Sequence, residues 1–227
     1  MSTDMLREII LVLVPMLLCL TVHEYSHARS ALWLGDDTAY LKGRLTFNPI
    51  SHMDIFGTLL LPILFVVSQS NFFFGWAKPV PVNPIRFTRR FNGRRVTMRT
   101  GMMITAAAGP ASNLVFGFLS AVLLKVVMLA GITTEPVLMI LVYLVMVNYG
   151  LAIFNMIPLP PLDGSKVLAG VLPRNLQRYF DYLESNTFVS FIVLIALLNT
   201  GVLGYIIGPV IRWLLRFTDS IVDLPFI

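Results

Sequence analysis

Residues His23-Glu24-Tyr25-Ser26-His27 form an H-E-x-x-H motif inside the first long apolar stretch of the chain. On a helix, residues four apart share a face, so both imidazoles can reach one ion while the Glu24 carboxylate stands beside them, near any water that the ion holds. Two imidazoles at this spacing suit Zn2+, with the carboxylate left free to move protons. Charge and imidazole are costly among apolar side chains. The run Ile9 to Leu20 before the motif and Ala31-Leu32-Trp33-Leu34 after it place the cluster within or near a bilayer. A bound metal compensates for that placement.

Two histidines leave a catalytic zinc one protein ligand short. Asp163 is the outstanding candidate for the third. It follows Asn155-Met156-Ile157-Pro158-Leu159-Pro160-Pro161-Leu162, whose three prolines must unwind the preceding helix, and Gly164 after it permits a sharp bend. Broken helices are tolerated at membrane depth only where they are buried in protein or line a wet cavity, so this one should face the metal. His52 and Asp54 are the rival ligands, although their polar loop suits a structural anchor better. Cys19, one turn before His23, could approach the ion, but it reads as a small apolar helix residue, and as the single cysteine it excludes an internal disulfide.

The elements that must position these groups belong to a membrane protein. The 227 residues are 56% hydrophobic and 13% charged, with 16 Phe and a mean hydropathy of +0.79, far too apolar for a soluble domain of this size. No linker, repeat or low-complexity tract divides the chain, so a single domain, 1–227, is expected. The net charge of +5 comes mostly from Lys78 to Arg99, which carries Lys78 and six arginines with no acid. In so apolar a chain this is a cytoplasmic juxtamembrane loop rather than a nucleic-acid patch. Asp4 and Glu8 near the N-terminus, with no small-residue cleavage site before His23, argue for a retained helix rather than a signal peptide.

The first helix is expected from about Ile9 to Leu34. The alternating Tyr40 to Phe47, closed by Asn48-Pro49, predicts a strand or hairpin. Ile55 to Phe74 is interrupted by Gly57, Pro62 and Ser68-Gln69-Ser70-Asn71, which suits a re-entrant segment better than a span. Met102 to Ala130 and Val137 to Ile157 predict spanning helices. Phe188 to Phe217 supplies one long or two short segments broken around Asn199-Thr200-Gly201 and Gly208-Pro209. The expected fold is an all-α polytopic membrane protein with a three-helix catalytic core, further helices, and a small re-entrant β-hairpin-like segment after the first helix.

Taken together, H-E-x-x-H in the first core helix, Gly109-Pro110-Ala111-Ser112-Asn113 in the next and Asn155 through Asp163-Gly164 in the third resemble the site-2 proteases, intramembrane zinc metalloproteases of peptidase family M50. Gly43-Arg44-Leu45-Thr46-Phe47-Asn48-Pro49, His52-Met53-Asp54 and Gly75-Trp76-Ala77-Lys78-Pro79-Val80-Pro81 are similar to the compact prokaryotic branch, and the chain leaves no room for the PDZ or CBS domain of some relatives. The resemblance spans roughly residues 20 to 170. It implies one Zn2+ held by His23, His27 and Asp163, Glu24 as catalytic base, and Asn155 as a residue that orients substrate or steadies the oxyanion. It also implies substrates that are transmembrane segments of signalling proteins or remnant signal peptides, cleaved in a prokaryotic plasma membrane.

Leu41, Leu45 and Phe47 are the expected substrate contacts, on a strand edge that pairs with an unwinding substrate. Asn113 is a further candidate contact, although hydrogen bonds between helices suit it better. The positive-inside rule puts the N-terminus outside, the basic loop in the cytoplasm and the site toward the cytoplasmic face. A polytopic metal transporter and a non-proteolytic membrane-protein binder are the alternatives. A transporter has no need of a Glu beside the first His.

Overall fold

The computed structural model describes residues 3–68, 75–173, 182 and 184–224. Its helices are α1 (Thr3–Leu34), α2 (Thr38–Leu41), α3 (Leu61–Val67, continuing a π-helical turn Ile55–Leu60), α4 (Met98–Leu129), α5 (Glu135–Asn155), α6 (Asp163–Val171), α7 (Thr187–Asn199) and α8 (Val202–Val222). Strands β1 (Arg90–Phe91) and β2 (Arg94–Arg95) pair antiparallel. Among the described residues, α1, α4 and α5 are long and apolar enough to cross a membrane, and α7 with α8, bent by 72° at their junction, make a fourth candidate span. The chain is a multi-pass membrane protein.

Contacts between side chains fix the core topology. His23 and His27 of α1 meet Asn113 and Thr105 of α4, so these helices are antiparallel. Arg7 pairs with Glu135 at 2.8 Å, which puts the starts of α1 and α5 at one end of the bundle. Cys19, Ala121, Leu144, Val145 and Tyr149 close the centre of this three-helix core. α4 starts at Met98, four residues before the expected Met102, because the Thr97 hydroxyl accepts from the Thr100 amide and caps the helix there. α5 ends at Asn155, ahead of Pro158 as the ring requires. The Phe188 to Phe217 stretch is broken once, at residues 200–201, while Gly208-Pro209 lies inside α8 without ending it.

The expected strand at Leu41 to Phe47 does not form. Asp36 accepts from the Thr38 amide at 3.0 Å and starts the short α2. Gly43, at φ +66°, then closes that turn by donating its amide N–H to the Tyr40 carbonyl, and the Arg44 amide donates to the Ala39 carbonyl. Asn48 and Thr46 cap the amides of Ile50 and Asn48 in the same local way. Capping side chains every few residues overrode the hydrophobic alternation. The only strands among the described residues are instead the two-residue pair in the basic loop, joined through Asn92 and Gly93, both at positive φ.

The Ile55–Val67 helix has 13 residues, which at 1.5 Å each reach about 20 Å, short of a hydrocarbon core of about 30 Å. Its beginning also lies against the chain that follows. The Trp76 amide donates to the Gly57 carbonyl at 3.2 Å, Thr58 Oγ1 donates to the Trp76 carbonyl at 2.7 Å, and the Lys78 amide donates to the His52 carbonyl at 2.9 Å. The chain therefore leaves and returns at one level. Residues 69–74 of the expected segment lie outside the described residues.

Candidate active site

One turn apart on α1, the buried His23 and His27 bring their Nε2 atoms to 3.0 Å. The other nitrogens are occupied. His27 Nδ1 lies 2.7 Å from the Thr105 main-chain carbonyl, and His23 Nδ1 lies 2.6 Å from Asn113 Oδ1. Carbonyl oxygens only accept, so each Nδ1 carries the proton and donates it, which leaves a lone pair on each Nε2.

The broken end of α5 delivers the third atom. Turns through Ile157–Leu162 bring Asp163 to the first position of α6, with its Oδ2 3.1 Å from His23 Nε2 and 3.2 Å from His27 Nε2. That oxygen is buried and has no hydrogen-bond partner. Three lone pairs thus converge on one point and repel one another unless a cation sits between them. Tetrahedral ligands about 2.0–2.1 Å from zinc stand about 3.3 Å apart, close to the edges seen here, so the donor set fits zinc. Gly109 of α4 makes room for it, since a Cβ there would come within 2.5 Å of the His27 ring and 2.7 Å of the His23 ring.

Glu24 shares the cluster, its ligand atom and those of His23 and His27 lying within 4.8 Å of one another. Its Oε2 accepts from the Val80 amide at 2.8 Å. Pro79 and Pro81 flank that amide and carry no N–H, so Val80 is the donor available in that stretch. The loop is itself tied down. Lys78 O accepts from Arg44 Nη2 at 2.5 Å, and the Asn83 amide donates to Asp36 Oδ2 at 2.6 Å. Burial lowers the pKa of the Arg44 guanidinium from its ordinary value, against the opposing pull of Glu24.

The remaining candidates are distributed differently. Asn155 lines the cavity of about 580 Å3 onto which His23, Glu24, His27 and Asp163 also open, but its Nδ2 donates to the Leu151 carbonyl at 3.0 Å. His52 is buried, with Nε2 2.9 Å from the Thr46 carbonyl, and Asp54 caps the amides of Phe56 and Gly57, so both hold their loop together. Asn113 has no exposed surface and faces His23. Leu41 and Phe47 are exposed, Phe47 stacked on Tyr25 at 3.9 Å, and Leu45 is half-buried, with no strand edge among them. Sequence reasoning missed the Thr105 carbonyl and the Val80 amide. For Val80, the Pro-Val-Pro spacing was the available signal.

The profile of Peptidase family M50 matches residues 130–198, the stretch that carries Asn155 and Asp163. The chain is 34% identical over 217 residues, 93% of its length and 89% of the other, to a Bacillus subtilis (strain 168) protein named "Putative zinc metalloprotease YwhC". It is 27% identical to the Mycolicibacterium smegmatis protein named "Putative zinc metalloprotease Rip2", over 92% of this chain and 74% of that one. The Mycobacterium tuberculosis protein of the same name is 26% identical, over 90% and 73%. No solved structure matches. A near full-length likeness to a zinc metalloprotease, joined to a buried cluster of lone pairs that fits zinc, establishes that this chain belongs to peptidase family M50, the site-2 protease family of zinc metalloproteases.

Proposed function

We propose that this chain is an intramembrane zinc endopeptidase that hydrolyses peptide bonds within or beside transmembrane segments of other membrane proteins. The convergence of His23, His27 and Asp163 on one point beside Glu24, on a helix long and apolar enough to span, carries this reading. Bound there, zinc supplies a Lewis acid for the scissile carbonyl and makes water acidic enough to attack near neutral pH. Glu24 takes the water proton and passes it to the leaving amide nitrogen. The Val80 amide holds the carboxylate in place for that transfer. Asn155, on the cavity wall, steadies the developing oxyanion once its amide turns from Leu151, a contribution of about 3 kcal/mol for one such donor.

The surroundings of the site support a lipid-embedded substrate. A second cavity of about 770 Å3 runs beside α1 between α3 and α5 and shares Leu20, Gly75, Leu151 and Phe154 with the catalytic cavity. Its walls are apolar apart from Glu8 and Tyr143, so it suits a transmembrane segment on its way to the metal. The exposed Leu41 and Phe47, with Leu45 between them, contact the substrate through apolar surface rather than strand pairing. Membrane-anchored signalling proteins and remnant signal peptides are the substrate classes we infer.

Substituting Glu24→Gln tests the mechanism. The variant should keep stoichiometric zinc and cleave a transmembrane substrate at least about a hundredfold more slowly, as loss of a general base requires. Asp163→Ala should lose the zinc itself. Near-normal cleavage by Glu24→Gln would remove the protease reading.

Orientation follows from the positive-inside rule, with the N-terminus outside the cell membrane and the basic loop in the cytoplasm. The bonds from Arg44 to Lys78 and from the Thr88 and Arg89 amides to Leu34 support placing Lys42, Arg44 and the basic loop on one side. In a Cys19→Ser background, cysteines at Thr38 and Asn92 should both react with an impermeant thiol reagent only from the cytoplasmic side. Labelling from opposite sides would refute this topology.

A further inference from the structure

We propose that Asn113 of α4 and Asn148 of α5 are positioning residues that set the tautomer of the metal ligand His23. Both side chains are fully buried inside spanning helices, where an amide is costly unless each polar atom is met. They are met by each other and by two main-chain carbonyls. Asn148 donates from Nδ2 to the Leu144 carbonyl at 2.8 Å, and Asn113 donates from Nδ2 to the Cys19 carbonyl at 3.1 Å. Main-chain carbonyls cannot donate, so the atoms facing them must be the NH2 groups, and both amides are fixed in one orientation.

The second hydrogen of Asn113 Nδ2 goes to Asn148 Oδ1 at 2.7 Å. Asn113 Oδ1 is then left to face His23 Nδ1 at 2.6 Å, as an acceptor. His23 must carry its proton on Nδ1 and keep the Nε2 lone pair for the metal. Turning Asn113 over would aim its NH2 at Nδ1, drive the proton to Nε2 and remove the ligand. It would also set Asn113 Oδ1 against two other acceptors, the Cys19 carbonyl and Asn148 Oδ1. Asn148 therefore acts at a distance of two side chains, fixing from the backbone of α5 which nitrogen of α1 faces the ion.

This inference rests on the assignment of His23 as a zinc ligand, and its test is zinc affinity by chelator competition, with the visible spectrum of the Co2+-substituted protein as a second readout. Asn113→Leu should weaken zinc binding roughly 10- to 100-fold, the range for loss of an outer partner of a metal ligand, and Asn148→Leu about tenfold. Asn113→Asp, with a neutral carboxyl in this buried position, keeps an oxygen acceptor toward His23 Nδ1 and an O–H toward the Cys19 carbonyl, so it should restore tight binding and a tetrahedral Co2+ spectrum. In that background Asn148→Leu should change neither readout, a non-additivity that a packing role would not produce. Asn148→Ala is the companion variant if leucine prevents folding. Wild-type zinc affinity in Asn113→Leu, or equal losses from Asn148→Leu in both backgrounds, would overturn the proposal. Full zinc occupancy in His23→Ala would instead overturn the ligand assignment beneath it.

Discussion

Gly109 on α4 and Gly150 on α5 both lie in helices that wall the site, yet a methyl group at each would meet opposite surroundings. At Gly109 it would strike both imidazoles, at 2.5 and 2.7 Å, whereas at Gly150 nothing lies within 4 Å. Gly117, further along α4, is closed as well, but on the α5 side, against the Tyr149 ring at 2.7 Å; the contact at Gly109 is the one that bears on α1. The α1–α4 seam is therefore closed, with its backbones drawn together so that carbonyls and amides of one helix can orient the ligands of the other. The α1–α5 side is open, facing α3 across the larger cavity. In the function proposed above, one seam orients the metal ligands and the other admits the segment to be cut.

Gly109→Ala attacks the closed seam and should have the largest effect. The methyl group displaces the imidazoles, so zinc content should fall well below one per chain and cleavage should vanish. Stoichiometric zinc with normal cleavage would show that this seam is as yielding as the other. Gly150→Trp attacks the open side. Zinc should stay complete and a short soluble peptide should be cut as before, while cleavage of a transmembrane substrate falls about tenfold, equivalent to ~1.4 kcal/mol. An equal effect on both substrates would mean that the larger cavity is no route to the metal. Gly150→Ala should change least: removing helical glycine raises stability by about 0.5–1 kcal/mol, measured as a higher Tm, with cleavage unaltered. A destabilised protein would show that the space is already filled.

The residues proposed as metal ligands were legible because their chemistry is local. His23 and His27 need only helical spacing, and Asp163 announces itself by the prolines that break its helix. The orientation of those ligands was not legible, because the Thr105 carbonyl and the Asn113 amide become partners only when α4 packs antiparallel to α1. Alternation at Tyr40 to Phe47 misled, since Asp36, Gly43, Thr46 and Asn48 cap and turn that stretch one residue at a time. The hairpin that does form carried a stronger signal, Asn92-Gly93, the dipeptide suited to two successive positive φ angles. Its setting among arginines drew attention to charge instead. The start of α4 moved to a cap and the end of α5 to the stretch before a proline, both already displayed in the sequence. By contrast, α1 begins at Thr3, ahead of the expected Ile9, and α8 runs on to Val222, past the expected Phe217.

The Val80 amide has a last consequence, for how this site would look to a mutational scan. Its partner, the Glu24 carboxylate, is addressed by main chain, and every residue except proline supplies the same N–H. Replacing Val80 by Ala, Thr or Leu would leave the bond intact, and the position would be scored as indifferent. Proline, or an ester in place of the amide, is the change that would expose it. A silent column in such a scan would thus conceal a direct partner of the residue proposed to move the protons.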